Sequence, residues 1–132
     1  MGSEMCIRDS VFPVSRDHLS EYRIVAEAVA KIYVEHGAID YLEFVGDDMH
    51  RKCTREFPDL LDAAEGDAIV FGWVVFESRE SRDLVNQKVE SDPRMADLVS
   101  PIMDPANRIF DAERMAYGGF RPLVCSQKSS EG

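Results

Sequence analysis

The sequence predicts an α+β chain in which two helices cover one face of a four-stranded antiparallel sheet. Two observations support this prediction. The stretch from Asp67 to Glu77 holds nine uncharged, mostly β-branched or aromatic residues between two acids, as expected of a strand buried on both faces. Segments of strand and helix character follow one another in the order strand, helix, strand, strand, helix, strand.

The first strand and the first helix are predicted between residues 11 and 36. Residues 11–14 form a short extended segment, and its Pro13 suits the end or edge of a strand because proline donates no ladder hydrogen bond. Ser15 is expected to cap a helix from Arg16 to His36, whose apolar residues recur at three- and four-residue steps. His36 is interpreted as a helix-end residue, because no nearby residue in sequence orients it for catalysis.

The second strand is predicted from Ile39 to Val45, and a turn follows at Gly46. The charged stretch 49–66, with a brief helical turn at Pro58, is the loop best suited to carry function. Four residues around the start of this loop have side chains that can bind a metal: Asp47, Asp48, His50 and Cys53. Their irregular spacing matches no known ligand pattern, so we expect neither a metal nor a cofactor.

The second half of the chain is predicted to hold one helix and one strand after the Asp67–Glu77 strand. Ser78 or Ser81 is expected to cap a helix that ends at Asp92, and only a short turn is predicted around residues 95–99. Residues 114–124 are predicted as the last strand, with two adjacent glycines that suggest a bulge.

These elements define a single domain over residues 6–125. Residues 1–5 are interpreted as a leader or cloning remnant, and residues 126–132 as a polar, disordered tail. The element order is that of the ferredoxin-like βαββαβ fold, which places both helices on one side of the sheet and leaves the other side open.

The open face of the predicted sheet is expected to be apolar, because the Asp67–Glu77 strand has apolar residues on both sides. One side carries Ile69, Phe71, Trp73 and Val75, and the other carries Ala68, Val70, Gly72, Val74 and Phe76. An identical sheet from a second copy is the expected cover, so the sequence predicts a homodimer that pairs through this face.

Composition restricts the partners and the compartment. Lysine and arginine number 15 against 25 acidic residues, and the net charge of −10 repels nucleic acid and anionic lipid surfaces. No apolar run approaches the roughly 20 residues that a membrane span requires, and the N-terminus has no secretory pattern. The three widely spaced cysteines fit reduced thiols. We therefore expect a cytoplasmic protein without nucleic-acid or membrane partners.

Six groups of residues carry a resemblance to a known family that extends over nearly the whole chain. They are Phe12-Pro-Val14 with Tyr22-Arg23, His36-Gly-Ala38 with Tyr41, Val45-Gly-Asp-Asp48, Val70-Phe-Gly-Trp73 with Ser78-Arg79, Asp92-Pro-Arg94, and Phe110-Asp111 with Arg114-Met115 and Tyr117-Gly-Gly-Phe120. The chain resembles the YbaA-like family of uncharacterised bacterial proteins, within the dimeric α/β-barrel superfamily. The resemblance implies a ferredoxin-like protomer that dimerises through its sheet, and it implies no established activity. The stretch Cys6-Ile-Arg-Asp-Ser10 departs from the Tyr-Val-Asp-Gly-Phe-like strand with which the family begins.

Two functions remain open at this stage. One is a dimeric protein that binds a small organic molecule without turnover. The other is an enzyme of the sort found in the superfamily it resembles, such as a cofactor-independent monooxygenase or an isomerase. The residues proposed to bind a ligand are Trp73, Tyr117, Arg114, Asp47 and Asp48. No catalytic residue is assigned.

Each candidate residue also has a purely structural interpretation. Trp73 and Tyr117 would stack on a flat ligand, yet aromatic residues on strands more often pack in a core or a dimer contact. Arg114 would hold an anion or form a salt bridge, and two aspartates after a glycine are typical of a turn. The enzyme hypothesis requires an apolar pocket with convergent polar groups and a titratable residue of displaced pKa.

Overall fold

The computed structural model describes residues 5–126. It contains four strands, β1 (Cys6–Ser15), β2 (Asp40–Val45), β3 (Asp67–Phe76) and β4 (Ala116–Phe120), and four helices, α1 (Leu19–Glu35), α2 (Phe57–Leu60), α3 (Arg79–Glu90) and α4 (Pro93–Met103). Short 3-10 turns occupy Arg16–His18, Pro105–Asn107 and Ala112–Arg114.

The four strands form one antiparallel sheet in the order β2-β3-β1-β4. This order confirms the predicted ferredoxin-like α+β class. β1 and β3 lie in the middle and pair along ten residues each, from Cys6 opposite Phe76 to Ser15 opposite Asp67. The divergent stretch 6–10 therefore lies inside the sheet, where it pairs with β3 on one side and β4 on the other.

The core lies between the sheet and its helices, on the face that carries the even-numbered residues of β3. Phe76 and Val74 pack with Val29 and Ile32 of α1 and with Val85 of α3 in one cluster. A second cluster joins β1 and β3 to α1, to α4 and to the segment after α4 through Phe12, Val14, Val70, Tyr22, Ile102 and Ile109. Helices and sheet are thus held together by apolar burial along their whole length.

The opposite face of the sheet is apolar, and residues 5–126 leave most of it uncovered. Trp73 is 36% exposed, Phe44 is 49% exposed and Phe120 is 53% exposed. Only one end is covered: Ile69 and Pro13 are buried there. At that end the backbone N–H of Gly46 donates to the Ile69 carbonyl (2.7 Å), and Met49 and Phe57 line a cavity with Ile69.

An acid lies in the middle of this open face. Asp9 lies opposite Trp73 on one side and Gly118 on the other. Its Oδ1 is enclosed, with no hydrogen-bond partner among residues 5–126. Burial raises the pKa of the Asp9 carboxyl above its ordinary value, because the charged form loses solvation there.

Two predictions about the helices were wrong. Ser15 does not cap α1: it ends β1 without a side-chain capping bond, and a 3-10 turn separates it from Leu19. The short turn predicted around residues 95–99 is instead part of an 11-residue helix, α4, which Asp92 caps by accepting from the backbone N–H of Arg94 (3.0 Å). Pro93 is tolerated at the start of that helix, where its missing N–H would have no intrahelical partner.

The predicted ends of the chain also need correction. The last strand is Ala116–Phe120, shorter than the predicted 114–124, and residues 112–114 form a 3-10 turn. The predicted leader and tail fall almost entirely on residues 1–4 and 127–132, which lie outside the described residues. Within residues 5–126, no helix combines the length and the apolar character that a membrane crossing requires.

Candidate functional site

A cleft of about 440 Å³ runs between α1 and β2. Its walls are formed by Leu19, Tyr22, Arg23, Ala26, Glu27 and Ala30 of α1, by Tyr41, Glu43, Phe44 and Val45 of β2, and by Val70 of β3. Apolar side chains dominate this lining. The carboxylate of Glu43 and the hydroxyls of Tyr22 and Tyr41 are the polar groups that meet at one point of it.

Glu43 is held by two phenols. The Tyr22 hydroxyl donates to Glu43 Oε1 (2.5 Å), and the Tyr41 hydroxyl donates to Oε2 (2.6 Å). Burial and the adjacent Glu43 carboxylate raise the pKa of Tyr22 and of Tyr41 far above the ordinary value for tyrosine. Both phenols therefore stay protonated and act as hydrogen-bond donors to a carboxylate that remains able to accept more bonds.

Strand register explains why the Glu43 side chain has room to extend over β3. Glu43 is opposite Gly72 of β3, which in turn is opposite Ser10 of β1. A Cβ atom at Gly72 would lie 3.2 Å from Glu43 Cγ and 3.6 Å from Ser10 Oγ. The glycine therefore leaves the space into which the glutamate side chain extends.

Two smaller cavities continue inward from the same carboxylate. One of about 140 Å³ reaches toward α4 and is lined by Phe12, Val25, Ile102 and Phe110 among others. The other, of about 70 Å³, lies over the middle of the sheet and is lined by Arg8, Ser10, Tyr33, Gly72 and Met115 among others. Both also touch Tyr41 and Glu43. The Tyr22–Glu43–Tyr41 group thus lies where all three spaces meet.

Arg8 is the one Lys or Arg side chain on the four strands, and it lines the 70 Å³ cavity together with Glu43. Its Nη1 donates to the Tyr33 hydroxyl (2.5 Å) and to Asn86 Oδ1 (3.2 Å), and its guanidinium lies 5.0 Å from the centre of the Tyr117 ring. These contacts supply the pairing that a charged residue inside a sheet requires.

The two aromatic residues proposed for ligand stacking lie on opposite faces of the sheet. Trp73 is on the open face, in edge contact with Phe44 (6.0 Å between ring centroids) and Phe71 (6.2 Å). Tyr117 is on the helix-covered face, opposite Ser10, where it covers Arg8. Within one protomer the two rings do not enclose a common ligand.

The three charged candidates occupy two further places. Arg114 forms ion pairs with Asp67 (3.1 Å) and Asp111 (3.5 Å). Asp48 accepts from the backbone N–H of His50 (3.3 Å) in a local turn, and Asp47 and Asp48 line a cavity of about 360 Å³ at the covered end of the open face. The structure therefore does not gather the five predicted residues into one site, and a ligand role for each of them stays a prediction.

The sequence did not predict a candidate site formed by Tyr22, Tyr41 and Glu43. The available signal was Glu43 itself, because strand alternation places it on the same face as Tyr41 and Val45. A charged residue on the helix-covered face of a strand requires a partner. No group of three or more His, Cys, Asp or Glu suited to a metal occurs among residues 5–126.

A second polar cluster lies at the far end of α1. His36 Nε2 shares a hydrogen bond with Asp92 Oδ2 (2.8 Å), and Arg94 donates to the same oxygen (2.8 Å) and to Glu35 (2.9 Å). Hydrogen bonds from Arg94 and then from His36 hold the pKa of the Asp92 carboxyl well below its usual range. A residue distant in sequence thus orients His36, and the cluster joins the end of α1 to the start of α4.

Comparison with known proteins identifies the family. Residues 6–111 match the family described as "Protein of unknown function (DUF1428)". The chain belongs to the DUF1428 family. Its relatives include the "Uncharacterized protein YbaA" of Escherichia coli K12 and that of Shigella flexneri, each 33% identical over 114 residues, which cover 86% of this chain and 92% of the relative. The resemblance to the YbaA-like family is therefore confirmed.

Solved structures similar to this DUF1428 chain share its fold at low identity. An uncharacterised NIPSNAP-like domain protein from Burkholderia xenovorans aligns with a TM-score of 0.58 at 13% identity, over 96% of this chain and 91% of the other. A NIPSNAP family protein of unknown function from Agrobacterium tumefaciens gives the same TM-score and identity, over 96% and 95%. A variant of SnoaB, described as a cofactor-independent oxygenase from Streptomyces nogalater, aligns at 0.53 and 9%, over 96% and 99%.

Proposed function

We propose that this DUF1428 protein binds a small organic molecule in the cleft between α1 and β2. The observation that carries the proposal is the convergence of Glu43, Tyr22 and Tyr41 on one point of an apolar cleft. Apolar walls supply affinity through burial, and a few fixed polar groups orient the ligand. The cleft volume of about 440 Å³ falls within the range typical of small-molecule sites.

The proposal includes a homodimer that pairs through the open sheet face. Support comes from the apolar residues exposed there, Leu42, Phe44, Trp73 and Phe120, which lie on three strands of one surface. A monomer that left this face in water would forgo the stabilisation that burial supplies. The three free thiols support a cytoplasmic location, because their spacing is not that of a disulfide framework.

A thermal-shift screen of a small-molecule library tests the binding proposal. Compounds that occupy the cleft are expected to raise the melting temperature of the wild type, because a ligand at 100 times its Kd stabilises the folded state by about 2.7 kcal/mol. Ala30→Phe places a ring in the cleft and is expected to abolish these shifts. Ile24→Phe is the matched control, since Ile24 lies on the same helix and is 72% exposed.

Compounds that raise the melting temperature of Ala30→Phe as much as that of the wild type would bind outside the cleft. A screen in which no compound distinguishes the two proteins would remove the support for a ligand cleft. Both variants are first checked for an unchanged circular dichroism spectrum, so that a loss of response is not a loss of fold.

Catalysis in the same cleft is the second candidate function. It is favoured by one carboxylate placed against two phenols of raised pKa, an arrangement in which Glu43 accepts a proton from a bound ligand while the phenols stay protonated. The fold shared with SnoaB is compatible with this candidate. Oxygen-electrode measurements with hydroquinones and enolisable ketones test it, and uptake that Glu43→Gln does not reduce would contradict it.

A further inference from the structure

The charges that line the cleft select among ligands. Three charged side chains contribute to its walls: Arg23, Glu27 and Glu43. Arg23 and Glu27 neutralise one another at the exposed rim, where Arg23 Nε donates to Glu27 Oε1 (3.0 Å). Glu43 has only neutral partners, because both of its donors are phenols. Among the residues that line the cleft, Glu43 is therefore the one charged side chain without an ion-pair partner within residues 5–126.

The groups around Glu43 leave it free to accept from a ligand. A carboxylate has about four acceptor positions, and the two tyrosines use two of them. Arg8 lines the same 70 Å³ cavity as Glu43, where its Nη1 donates to the neutral groups of Tyr33 and Asn86 and not to the Glu43 carboxylate. No Lys, Arg or His side chain among residues 5–126 lies within 4 Å of the Glu43 carboxylate in an ion pair.

We infer that the ligand of this cleft is an organic ammonium, a protonated amine carried on a small apolar body. This inference rests on the proposed function and specifies its ligand. The ammonium donates to Glu43 and lies beside the rings of Tyr22 and Tyr41, where the electron-rich faces of aromatic rings favour a cation. The apolar body occupies the space between Ala26, Ala30 and Val70.

The same arrangement disfavours an anionic ligand. A carboxylate or phosphate at the position proposed for the ammonium would lie against the Glu43 carboxylate, and like charges at hydrogen-bond distance repel. Arg8 lies on the adjoining 70 Å³ cavity and not on the cleft itself. A neutral alcohol can donate one hydrogen bond to Glu43 but gains no ionic attraction. The predicted order of affinity is therefore amine, then alcohol, then acid.

Three probes with one carbon skeleton test this order: 2-phenylethylamine, 2-phenylethanol and phenylacetate. Binding is measured at pH 7 by isothermal titration calorimetry and by chemical-shift perturbation. The amine is expected to bind tightest, and Glu43→Gln is expected to weaken it by roughly tenfold or more, since the substitution removes a charge-assisted hydrogen bond. Added salt is expected to weaken the binding of the amine and to leave the binding of the alcohol unchanged.

Asp40→Asn is the matched control for Glu43→Gln. It removes one negative charge from the same strand, but Asp40 is opposite Val75 and so lies on the other face of the sheet. Its expected effect on amine affinity is less than twofold. Equal losses from Asp40→Asn and Glu43→Gln would overturn the inference, because they would show that net charge and not the Glu43 carboxylate attracts the amine.

The outcomes separate this inference from the proposed function. If phenylacetate or 2-phenylethanol binds as tightly as the amine, and Ala30→Phe abolishes that binding, then the cleft is a ligand site and the ammonium assignment is wrong. If Ala30→Phe leaves the binding of every probe and every library hit unchanged, the cleft itself is not the site. Thermal unfolding of Glu43→Gln establishes that the variant is folded before its affinity is interpreted.

Discussion

At the scale of single residues, Glu43 shows how far alternation in a strand can be used. The pattern of β2 places Glu43 on the helix-covered face, but the pattern does not identify its partners, because Tyr22 lies on another element. The sequence places Tyr22 in the first helix and Tyr41 in the second strand, and it indicates no partner for either hydroxyl. Their hydroxyls become donors to one carboxylate only once α1 packs on the sheet.

Asp92 leads to a pH-dependent prediction. Its pKa is lowered in the folded protein by Arg94 and His36, so its contribution to stability is present above the unfolded pKa near 3.8 and is lost as the pH falls through the lower folded pKa. Asp92→Asn is expected to lower the urea midpoint at pH 7. The difference from wild type is expected to shrink below pH 4.

The substitution isolates charge from capping, because asparagine caps helices about as well as aspartate. Asp97→Asn, an exposed position of α4, serves as the control and is expected to leave the midpoint nearly unchanged. A gap between wild type and Asp92→Asn that stays constant from pH 7 to pH 2.5 would contradict this account.

At the scale of elements, the sequence predicted the long segments with a regular pattern, whereas it did not predict the short segments that contain proline or adjacent glycines. The uncharged run of β3 and the periodic stripe of α1 each specify one structure. α4 was missed because Pro93 and Pro101 resemble breaks, although the first suits a helix start and the second lies inside its last turns. The stretch 114–124 yields only five paired residues, because β1 ends its pairing with β4 at Val11.

The start of α3 is capped by one of two serines that the sequence offers. Sequence left Ser78 and Ser81 as alternative caps, and in the structure Ser78 Oγ accepts from the backbone N–H of Ser81 (3.1 Å). Ser78→Ala is expected to reduce the free energy of unfolding by about 1 kcal/mol, the usual cost of a lost N-cap. Ser81→Ala retains the backbone donor and is expected to change stability by less than about 0.5 kcal/mol. Chemical denaturation of both variants checks this, and equal losses would contradict the assignment of the cap.

At the scale of the whole molecule, the sequence anticipated the asymmetry between the two faces of the sheet. It could not anticipate that the segment from Gly46 to Leu61 covers only the end of the open face at Ile69 and Pro13. That segment is charged and irregular in sequence, and its position depends on contacts with strands that are distant along the chain. The five predicted ligand residues also lie apart from one another, because their positions depend on contacts between segments that are distant along the chain.

The open face makes the oligomeric state testable. Light scattering is expected to give roughly 30 kDa, twice the 14.9 kDa of one chain, because two apolar sheets bury one another. Trp73→Glu places a charge in that contact and is expected to give a monomer at micromolar concentration. Ile24→Glu, at an exposed position of α1, is expected to leave the dimer intact. A monomeric wild type, or equal behaviour of the two variants, would contradict pairing through the sheet.

The cleft is built almost entirely from one short piece of the chain. Ten of its eleven lining residues lie between Leu19 and Val45, on one helix and the edge strand that follows it. The paired interior strands β1 and β3 contribute a single residue, Val70. Substitutions in this one helix–strand unit would therefore reshape the proposed cleft with little effect on the centre of the sheet. The architecture thus separates the walls of the cleft from the scaffold that supports them.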